Sequence, residues 1–309
     1  MANLMSEFIN SLTQRDRSPK TLRGYKSDLE AFASWFEKVN GEFPTPDRIT
    51  PADIREYRQK MLTVQRRKAN TVNRHLASIS AYLEWAIEQG MIEHNPGRDV
   101  RLVSTITTGP RYLNKREQYA LQRAIEKDLQ LARMRFPKRW VARERDAALV
   151  TFLLHTGLRL QEALAIETTD LTIGERSGEV YVRNGKGNRV RTVPLNAEVR
   201  QAIQKWITVR PAETDNTYLW PPVEGDYDGA LTGRSVQRLV RRYGEEAGLP
   251  GLTPHILRHT FAKNLVDKGV GLEKIAALLG HASLNTTKLY ITPNKNDLEQ
   301  AVGLLETER

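Results

Sequence analysis

Apolar side chains in the first 95 residues recur every three or four positions, which is the period of an amphipathic helix. Three long runs lie at 22–36, 54–62 and 72–86, and a shorter run opens the chain. Ser18-Pro19 and Thr50-Pro51 precede two of these runs. Such pairs are typical of a helix start, because the hydroxyl caps the first turn and proline suits the first helical position. The pattern predicts a bundle of about four helices.

Asn95-Pro96-Gly97 ends this bundle, and the polar stretch that follows has no clear period. We therefore expect a helical domain at 1–96, a linker at 97–111 and a second domain at 112–309. At roughly 150 residues per domain, the length of the chain agrees with two domains that can each bury a core.

The pattern of the second domain is mixed. Helical spacing predicts helices at about 115–131, 145–155, 198–209, 235–247, 254–267 and 272–279. Two short strands, at 179–182 and 189–193, flank a Gly-rich stretch at 184–188 that is typical of a hairpin turn. The acidic segment at 211–232 is rich in Pro and Gly and is expected to be a surface excursion. The predicted fold is mainly α with a small antiparallel β-sheet.

Composition narrows the classes of function. The chain contains 47 Lys and Arg against 37 Asp and Glu, a formal charge of +10, and it contains no Cys. Without cysteine there is no disulfide framework, no thiolate metal site and no cysteine nucleophile. The basic balance favours an anionic partner such as nucleic acid. We see neither a secretory signal nor a membrane-length apolar run, and we expect a cytoplasmic, nucleoid-associated protein.

Clusters of cations indicate where a phosphate backbone could lie. The candidates are Arg66, Arg67, Lys68 and Arg74 in the first domain and Arg234, Arg238 and Arg241 in the second. The basic segment at 132–145 either adds a DNA contact or is a solvated insertion, and we favour the DNA contact. For the cluster of the first domain the alternative is an ordinary solvated helix face.

The helix predicted at 254–267 carries the first candidate chemistry. Thr253-Pro254 predicts its start, which places His255 in the first turn and Arg258 and His259 on the same face. Two imidazoles, a guanidinium and the positive end of a helix together suit a phosphate group. A zinc site at His255 and His259 would need a glutamate after the first histidine, where Ile256 stands.

Five further residues join this set. Arg159 begins a helix between two apolar segments, and Glu162 is placed to pair with it. Lys186 occupies the tip of the predicted hairpin, from which it can donate a proton. His281 and Tyr290 follow the helix at 272–279. Each residue alone has a structural alternative as an ion pair, a basic turn or a packing residue. Together they describe a phosphoryl-transfer site in which cations neutralise the phosphate and a tyrosine attacks it.

This ordered set resembles the tyrosine recombinase (phage integrase) family. The matching motifs are Thr156-Gly157-Leu158-Arg159-x-x-Glu162-Ala163-Leu164, Gly185-Lys186-Gly187, His255-x-x-Arg258-His259, Leu279-Gly280-His281 and Tyr290. The N-terminal helical half looks like the SAM-like core-binding domain of that family, so the resemblance covers most of the chain. The proportions are similar to those of Xer-like and transposon resolvases and of simple integrases. The resemblance implies a core-binding DNA domain at 1–96 and an α+β catalytic domain at 112–309 with a tail helix.

The resemblance also implies how the reaction proceeds. Tyr290 would attack the scissile phosphate, giving a 3′-phosphotyrosyl link and a free 5′-hydroxyl. Lys186 would protonate the leaving 5′-oxygen, and His255 would assist proton transfer to or from the tyrosine. No metal, ATP or other cofactor would be required, because the covalent link conserves the bond energy.

The remaining site residues would hold the phosphate. Arg159 and Arg258 would clamp its non-bridging oxygens, and His281 would donate a hydrogen bond to it. Glu162 would support Arg159 from behind, and His259 is assigned a supporting position in the same set.

The implied partner is double-stranded DNA with a specific recombination site. Four protomers would act on it through a Holliday junction. An apolar stripe of Leu298, Val302 and Leu305 on the tail helix would dock on a neighbouring protomer, with docking on its own domain as the alternative. Two other functions stay open, a type IB topoisomerase-like enzyme that only relaxes DNA and a non-catalytic DNA-binding regulator. The regulator would be expected to lack one of Tyr290, Arg159 or Arg258.

Overall fold

The computed structural model describes most of the chain, namely residues 3–105, 109–135, 140–183, 190–211, 216–223, 229–281, 283–290 and 302. Lys186 and the turn that carries it, at 184–188, lie outside the described residues. The same holds for Leu298 and Leu305 of the predicted tail helix and for part of the excursion at 211–232. None of the helices among these described residues is both long and apolar enough to cross a membrane.

Contacts between residues divide the chain into two units, residues 1–107 and 108–309. The first unit contains α1 (Asn3–Gln14), α2 (Pro19–Asn40), α3 (Pro51–Thr63) and α4 (Ala69–Glu88). A short 3₁₀ turn follows at Pro96–Asp99.

The predicted caps and apolar runs account for this bundle. The Ser18 hydroxyl accepts a hydrogen bond from the backbone N–H of Thr21, and Thr50 forms a reciprocal capping box with Asp53. The apolar faces of the helices meet in one aromatic-rich core in which Phe32 and Tyr82 are fully buried.

The second unit is also mainly helical. Its helices are α5 (Lys115–Arg135), α6 (Trp140–Thr156), α7 (Leu160–Leu164), α8 (Ala197–Val209), α9 (Gly233–Glu246), α10 (Pro254–Asp267), α11 (Leu272–Leu279) and α12 (Leu284–Lys288). Strands β1 (Leu171–Ile173), β2 (Gly178–Val182) and β3 (Arg191–Pro194) form an antiparallel sheet in the order β1-β2-β3. The predicted fold class, mainly α with a small antiparallel sheet, is confirmed.

Helix α6 forms the centre of the second core. Leu149, Val150 and Phe152 are fully buried, and Phe152 packs edge-on against Trp220. The helix begins five residues before the predicted start at residue 145. The early part escaped prediction because Arg143 and Glu144 form ion pairs, with Asp128 and Arg133, instead of following an apolar period.

The basic segment at 132–145 is largely engaged within the protein. Arg133 pairs with Glu144 at 2.6 Å, and Arg143 lies between Asp128 and Asp146 at 3.6 and 3.7 Å. These contacts give Arg133 and Arg143 a structural role, whereas Lys138 and Arg139 lie outside the described residues.

Candidate active site

Arg258 lies at the centre of the candidate site. Thr253 caps α10 and Pro254 begins it, which places Arg258 in the second turn, where its side chain is buried. Its guanidinium donates hydrogen bonds to the carbonyls of Gly157, at 2.7 Å, and Leu279, at 2.9 Å. Burial and, next, the charge of Arg159 lower the pKa of Arg258 to about 10. That value is far above neutrality, so the group carries its charge at pH 7.

Arg159 reaches the same place from another element. It precedes the first residue of α7, and its Nη2 donates to the carbonyl of Gly280 at 3.0 Å. Its Nη1 donates to Oε1 of Glu162 at 2.7 Å, which is the pairing that the sequence indicates. Two guanidinium groups therefore converge on the C-terminal end of α11.

Glu162 is the carboxylate of this cluster, and its side chain is only 3% exposed. It accepts hydrogen bonds from Arg159 and from Nη2 of Arg191, the latter at 2.7 Å. Burial alone would raise the pKa of Glu162, but the hydrogen bonds from Arg191 and Arg159 outweigh it and lower that pKa. The carboxylate is therefore ionised at neutral pH and fixed from two sides.

Tyr290 is buried beside two imidazoles. Its hydroxyl oxygen lies 2.9 Å from Nδ1 of His259, and its ring lies parallel to that of His281 with centroids 6.3 Å apart. Burial raises the pKa of Tyr290, although the charge of Arg258 opposes this rise. The phenol is therefore protonated at neutral pH. Burial, with the neighbouring His255 and Arg258, lowers the pKa of His259 to about 4, so its neutral ring can accept a hydrogen bond.

The contacts of His281 define its tautomer. Its Nε2 lies 2.9 Å from Nη2 of Arg258, and its Nδ1 lies 2.8 Å from the hydroxyl of Thr287. A guanidinium only donates hydrogen bonds, so Nε2 is the acceptor and Nδ1 carries the proton. Burial, with the charge of Arg258, lowers the pKa of His281 to about 4.

The structure places His259 against Tyr290, whereas the resemblance implies the proton-transfer role for His255. His255 is exposed, with its ring centroid 6.4 Å from that of His259, and the imidazole beside Tyr290 is that of His259. The spacing placed both residues on one face of α10 but could not determine which turn lies opposite the tyrosine.

Sequence reasoning missed Arg191, and the predicted proton donor Lys186 lies outside the described residues. Arg191 shares the inward face of β3 with Val193, so strand alternation places it towards the core. Nothing in the sequence identifies Glu162 as its partner, because the two residues are 29 positions apart.

The candidate DNA-contacting residues are mostly exposed in their own units. Arg66, Arg67 and Lys68 are exposed immediately before α4, whereas Arg74 is paired with the buried Asp28 at 2.5 Å. On α9 the exposed residues Arg234, Arg238 and Arg241 lie opposite the buried Val236, Val240 and Tyr243.

Known proteins match the chain along most of its length. Residues 125–297 match the model of the phage integrase family, and residues 5–90 match the phage integrase N-terminal SAM-like domain. A tyrosine recombinase XerC from Thermodesulfovibrio yellowstonii is 31% identical over 93% of this chain and 90% of its own. The TnP I resolvase of Bacillus thuringiensis is 26% identical over 98% of this chain and 100% of its own.

Solved structures share the fold. The XerH site-specific recombinase bound to a palindromic difH substrate, in a post-cleavage complex, matches with a TM-score of 0.73 at 23% identity. The match covers 99% of this chain and 90% of the XerH chain. At that identity the likeness concerns the fold, which agrees with the helical bundle and the mixed second unit described above.

Proposed function

The chain belongs to the phage integrase family and is a tyrosine-type site-specific recombinase, and we propose that it cuts and rejoins double-stranded DNA through Tyr290. The observation that carries this proposal is the position of the Tyr290 hydroxyl, 2.9 Å from His259 on the helix that also carries Arg258. A buried tyrosine beside an acceptor and two guanidinium groups suits nucleophilic attack on a phosphate.

In the proposed cleavage step, the Tyr290 oxygen forms a bond to phosphorus and the bond from phosphorus to the 5′-oxygen breaks. The phenol proton passes to His259, whose neutral ring lies within hydrogen-bonding distance. Lys186 donates a proton to the leaving 5′-oxygen. Rejoining reverses each transfer with the 5′-hydroxyl of the partner strand, so the phosphotyrosyl bond conserves the energy and ATP is not needed.

The charge that develops on the phosphate would be stabilised by Arg159 and Arg258. Both guanidinium groups are fixed by main-chain carbonyls, so little reorganisation would be needed when the phosphate arrives. In this proposal the two cations carry out the neutralisation for which other enzymes use a metal ion. His281 accepts from Arg258 through Nε2, so in this arrangement it would orient that guanidinium towards the phosphate and would not itself donate to the phosphate.

Complete recombination requires two rounds of strand exchange. We propose that four protomers bind two sites and pass through a Holliday junction, with the tail residues Leu298, Val302 and Leu305 linking neighbouring protomers. A plasmid that carries two copies of the site tests this step. Recombinant circles are expected, whereas relaxation without exchange of the sites would indicate the topoisomerase-like reaction.

The cleavage proposal is tested on a nicked duplex. The binding sequence is first selected from a random-sequence duplex library with this protein, mapped by footprinting, and synthesised with a nick beside the cleavage position. Loss of the short nicked fragment then traps the covalent adduct. Tyr290→Phe is expected to keep the footprint and to form no adduct, because the attacking oxygen is missing.

Tyr243→Phe is the matched control. Tyr243 is a fully buried tyrosine of the same unit, and its hydroxyl donates to Asp128 at 2.9 Å. This variant is expected to form the adduct. An adduct on Tyr290→Phe would contradict the assignment of the nucleophile, and an intact footprint with no adduct from the native protein would favour a DNA-binding regulator.

A further inference from the structure

The largely buried guanidinium of Arg191 lies behind the candidate catalytic residues. Its side chain is 11% exposed and projects from β3. Nη2 donates to Oε2 of Glu162 at 2.7 Å, and Nε donates to the carbonyl of Leu278 at 2.9 Å. Burying a charged group to this extent is costly unless the group is paired. The two partners of Arg191 are the Glu162 carboxylate and the C-terminal end of α11, and both also accept hydrogen bonds from Arg159.

The C-terminal end of α11 binds three guanidinium groups. The last carbonyls of a helix lack partners within the helix and carry the negative end of its dipole. Here the carbonyl of Leu278 accepts from Arg191, that of Leu279 from Arg258, and that of Gly280 from Arg159. Arg191 therefore shares one anchor with both candidate phosphate ligands.

Gly280 provides an independent sign that the site is built around Arg191. A Cβ on Gly280 would lie 2.6 Å from Nη1 and 2.8 Å from Cζ of Arg191. Only the absence of a side chain allows the guanidinium to pass this close to the backbone that accepts from Arg159. The motif Leu279-Gly280-His281 thus leaves space for an arginine that is distant in sequence.

We infer that Arg191 is a positioning residue, which fixes Glu162 and the end of α11 so that Arg159 faces the scissile phosphate. Arg191 itself is not expected to bind the phosphate, because its guanidinium already donates hydrogen bonds to Glu162 and to the carbonyl of Leu278. The inference rests on the proposed function, because it requires Arg159 to bind the phosphate of the cleaved strand.

The inference predicts a specific pH dependence. The charged or titratable groups that face Glu162 are Arg159 from the start of α7, Arg191 from β3, Arg258 from α10 and His281 after α11. Hydrogen bonds from Arg191 lower the pKa of Glu162, so removing Arg191 raises it. Glu162 would then protonate at a higher pH, release Arg159, and slow cleavage on the acid side.

Arg191→Gln tests the inference against Arg145→Gln as a matched control. The Arg145 side chain is 10% exposed, pairs with Asp146 at 2.6 Å and donates to the carbonyl of Pro221 at 2.9 Å. It thus has the same burial and the same kinds of partner as Arg191. None of its described partners belongs to the candidate site.

The measurement is the single-turnover cleavage rate on the nicked duplex at saturating protein, from pH 5 to pH 9. Arg191→Gln should bind with an unchanged footprint but cleave on the order of tenfold to hundredfold more slowly, because it misplaces a group that contacts the phosphate. Its rate should also begin to fall at a higher pH than that of the native protein. Arg145→Gln should lose melting temperature and keep the native rate and pH profile.

Arg191→Lys decides the question if Arg191→Gln does not fold. One ammonium can pair with Glu162 but cannot also reach Leu278 in the geometry of a guanidinium. This variant should keep the native pH profile and cleave more slowly. Native rate and profile in either Arg191 variant would overturn the inference, whereas failure of the native protein to form the adduct would overturn the proposed function instead.

Discussion

Replacing Gly280 with alanine should disrupt the arginine cluster, which consists of Arg159, Arg191 and Arg258 at the C-terminal end of α11. Gly280 ends α11 in the left-handed conformation, with φ of +65°. An L-residue there costs about 1–2 kcal/mol. The new Cβ would also displace the Arg191 guanidinium, and losing a hydrogen bond to a charged group costs a further 1.5–3 kcal/mol or so. We therefore expect Gly280→Ala to lower the free energy of unfolding by about 3–5 kcal/mol.

Gly269→Ala separates the two contributions. Gly269 follows α10 with φ of +72°, and a Cβ there would meet no described heavy atom within 4 Å. It should therefore show the backbone cost alone. At about 2–4 °C per kcal/mol for a domain of 150–250 residues, the melting temperature should fall by about 4 °C in Gly269→Ala and by about 12 °C in Gly280→Ala.

Calorimetry of the full chain measures both values, and a double-mutant cycle identifies the clash. In an Arg191→Gln background, the shorter side chain leaves room for the Cβ, so Gly280→Ala should cost no more than Gly269→Ala. Equal melting temperatures for the two alanine variants in the native background would refute the reasoning, because they would mean that Arg191 is not held against Gly280.

Two further predictions concern protonation and DNA binding. Burial lowers the pKa of His259 to about 4, below its ordinary 6.5, so the stability it contributes is complete above pH 6.5 and is lost as the pH falls towards 4. The melting temperature should therefore fall less between pH 6.5 and pH 4 in His259→Gln than in His255→Gln, where the replaced residue is exposed. An equal fall in the two variants would contradict the lowered pKa of His259. Arg238→Gln should make the plot of log binding constant against log salt shallower by about 1, because one phosphate contact is lost. Arg242→Gln should leave that slope unchanged, because Arg242 pairs with Asp128 at 3.2 Å.

Local signals predicted the helices near the site well. Pro254–Asp267 and Leu272–Leu279 match the predicted ranges, because Thr253 caps one helix and Gly280 ends the other. The first five residues of α6 and the whole of β1 were missed. Ion pairs stabilise the former, and β1 has only three residues, too few for a period to be read.

The candidate site was predictable as a set of residues but not as an arrangement. Residue type and spacing identify Arg159, Arg258, His281 and Tyr290. Which imidazole meets the tyrosine depends on how α10 lies against the chain after α11, and this is a tertiary property. The carbonyl partners at the end of α11 are equally invisible, because every residue has a carbonyl and only the fold determines which ones remain unpaired.

The arginine cluster at the end of α11 contains more positive than negative charge. Three guanidinium groups, from Arg159, Arg191 and Arg258, face one carboxylate and the partial negative charge at the end of α11. Their mutual repulsion is visible in Arg258, whose pKa is lowered by burial and then by Arg159. A phosphodiester placed between Arg159 and Arg258 would supply the missing negative charge. The same charge imbalance that costs stability in the free protein would therefore favour phosphate binding at the position where Tyr290 is proposed to attack.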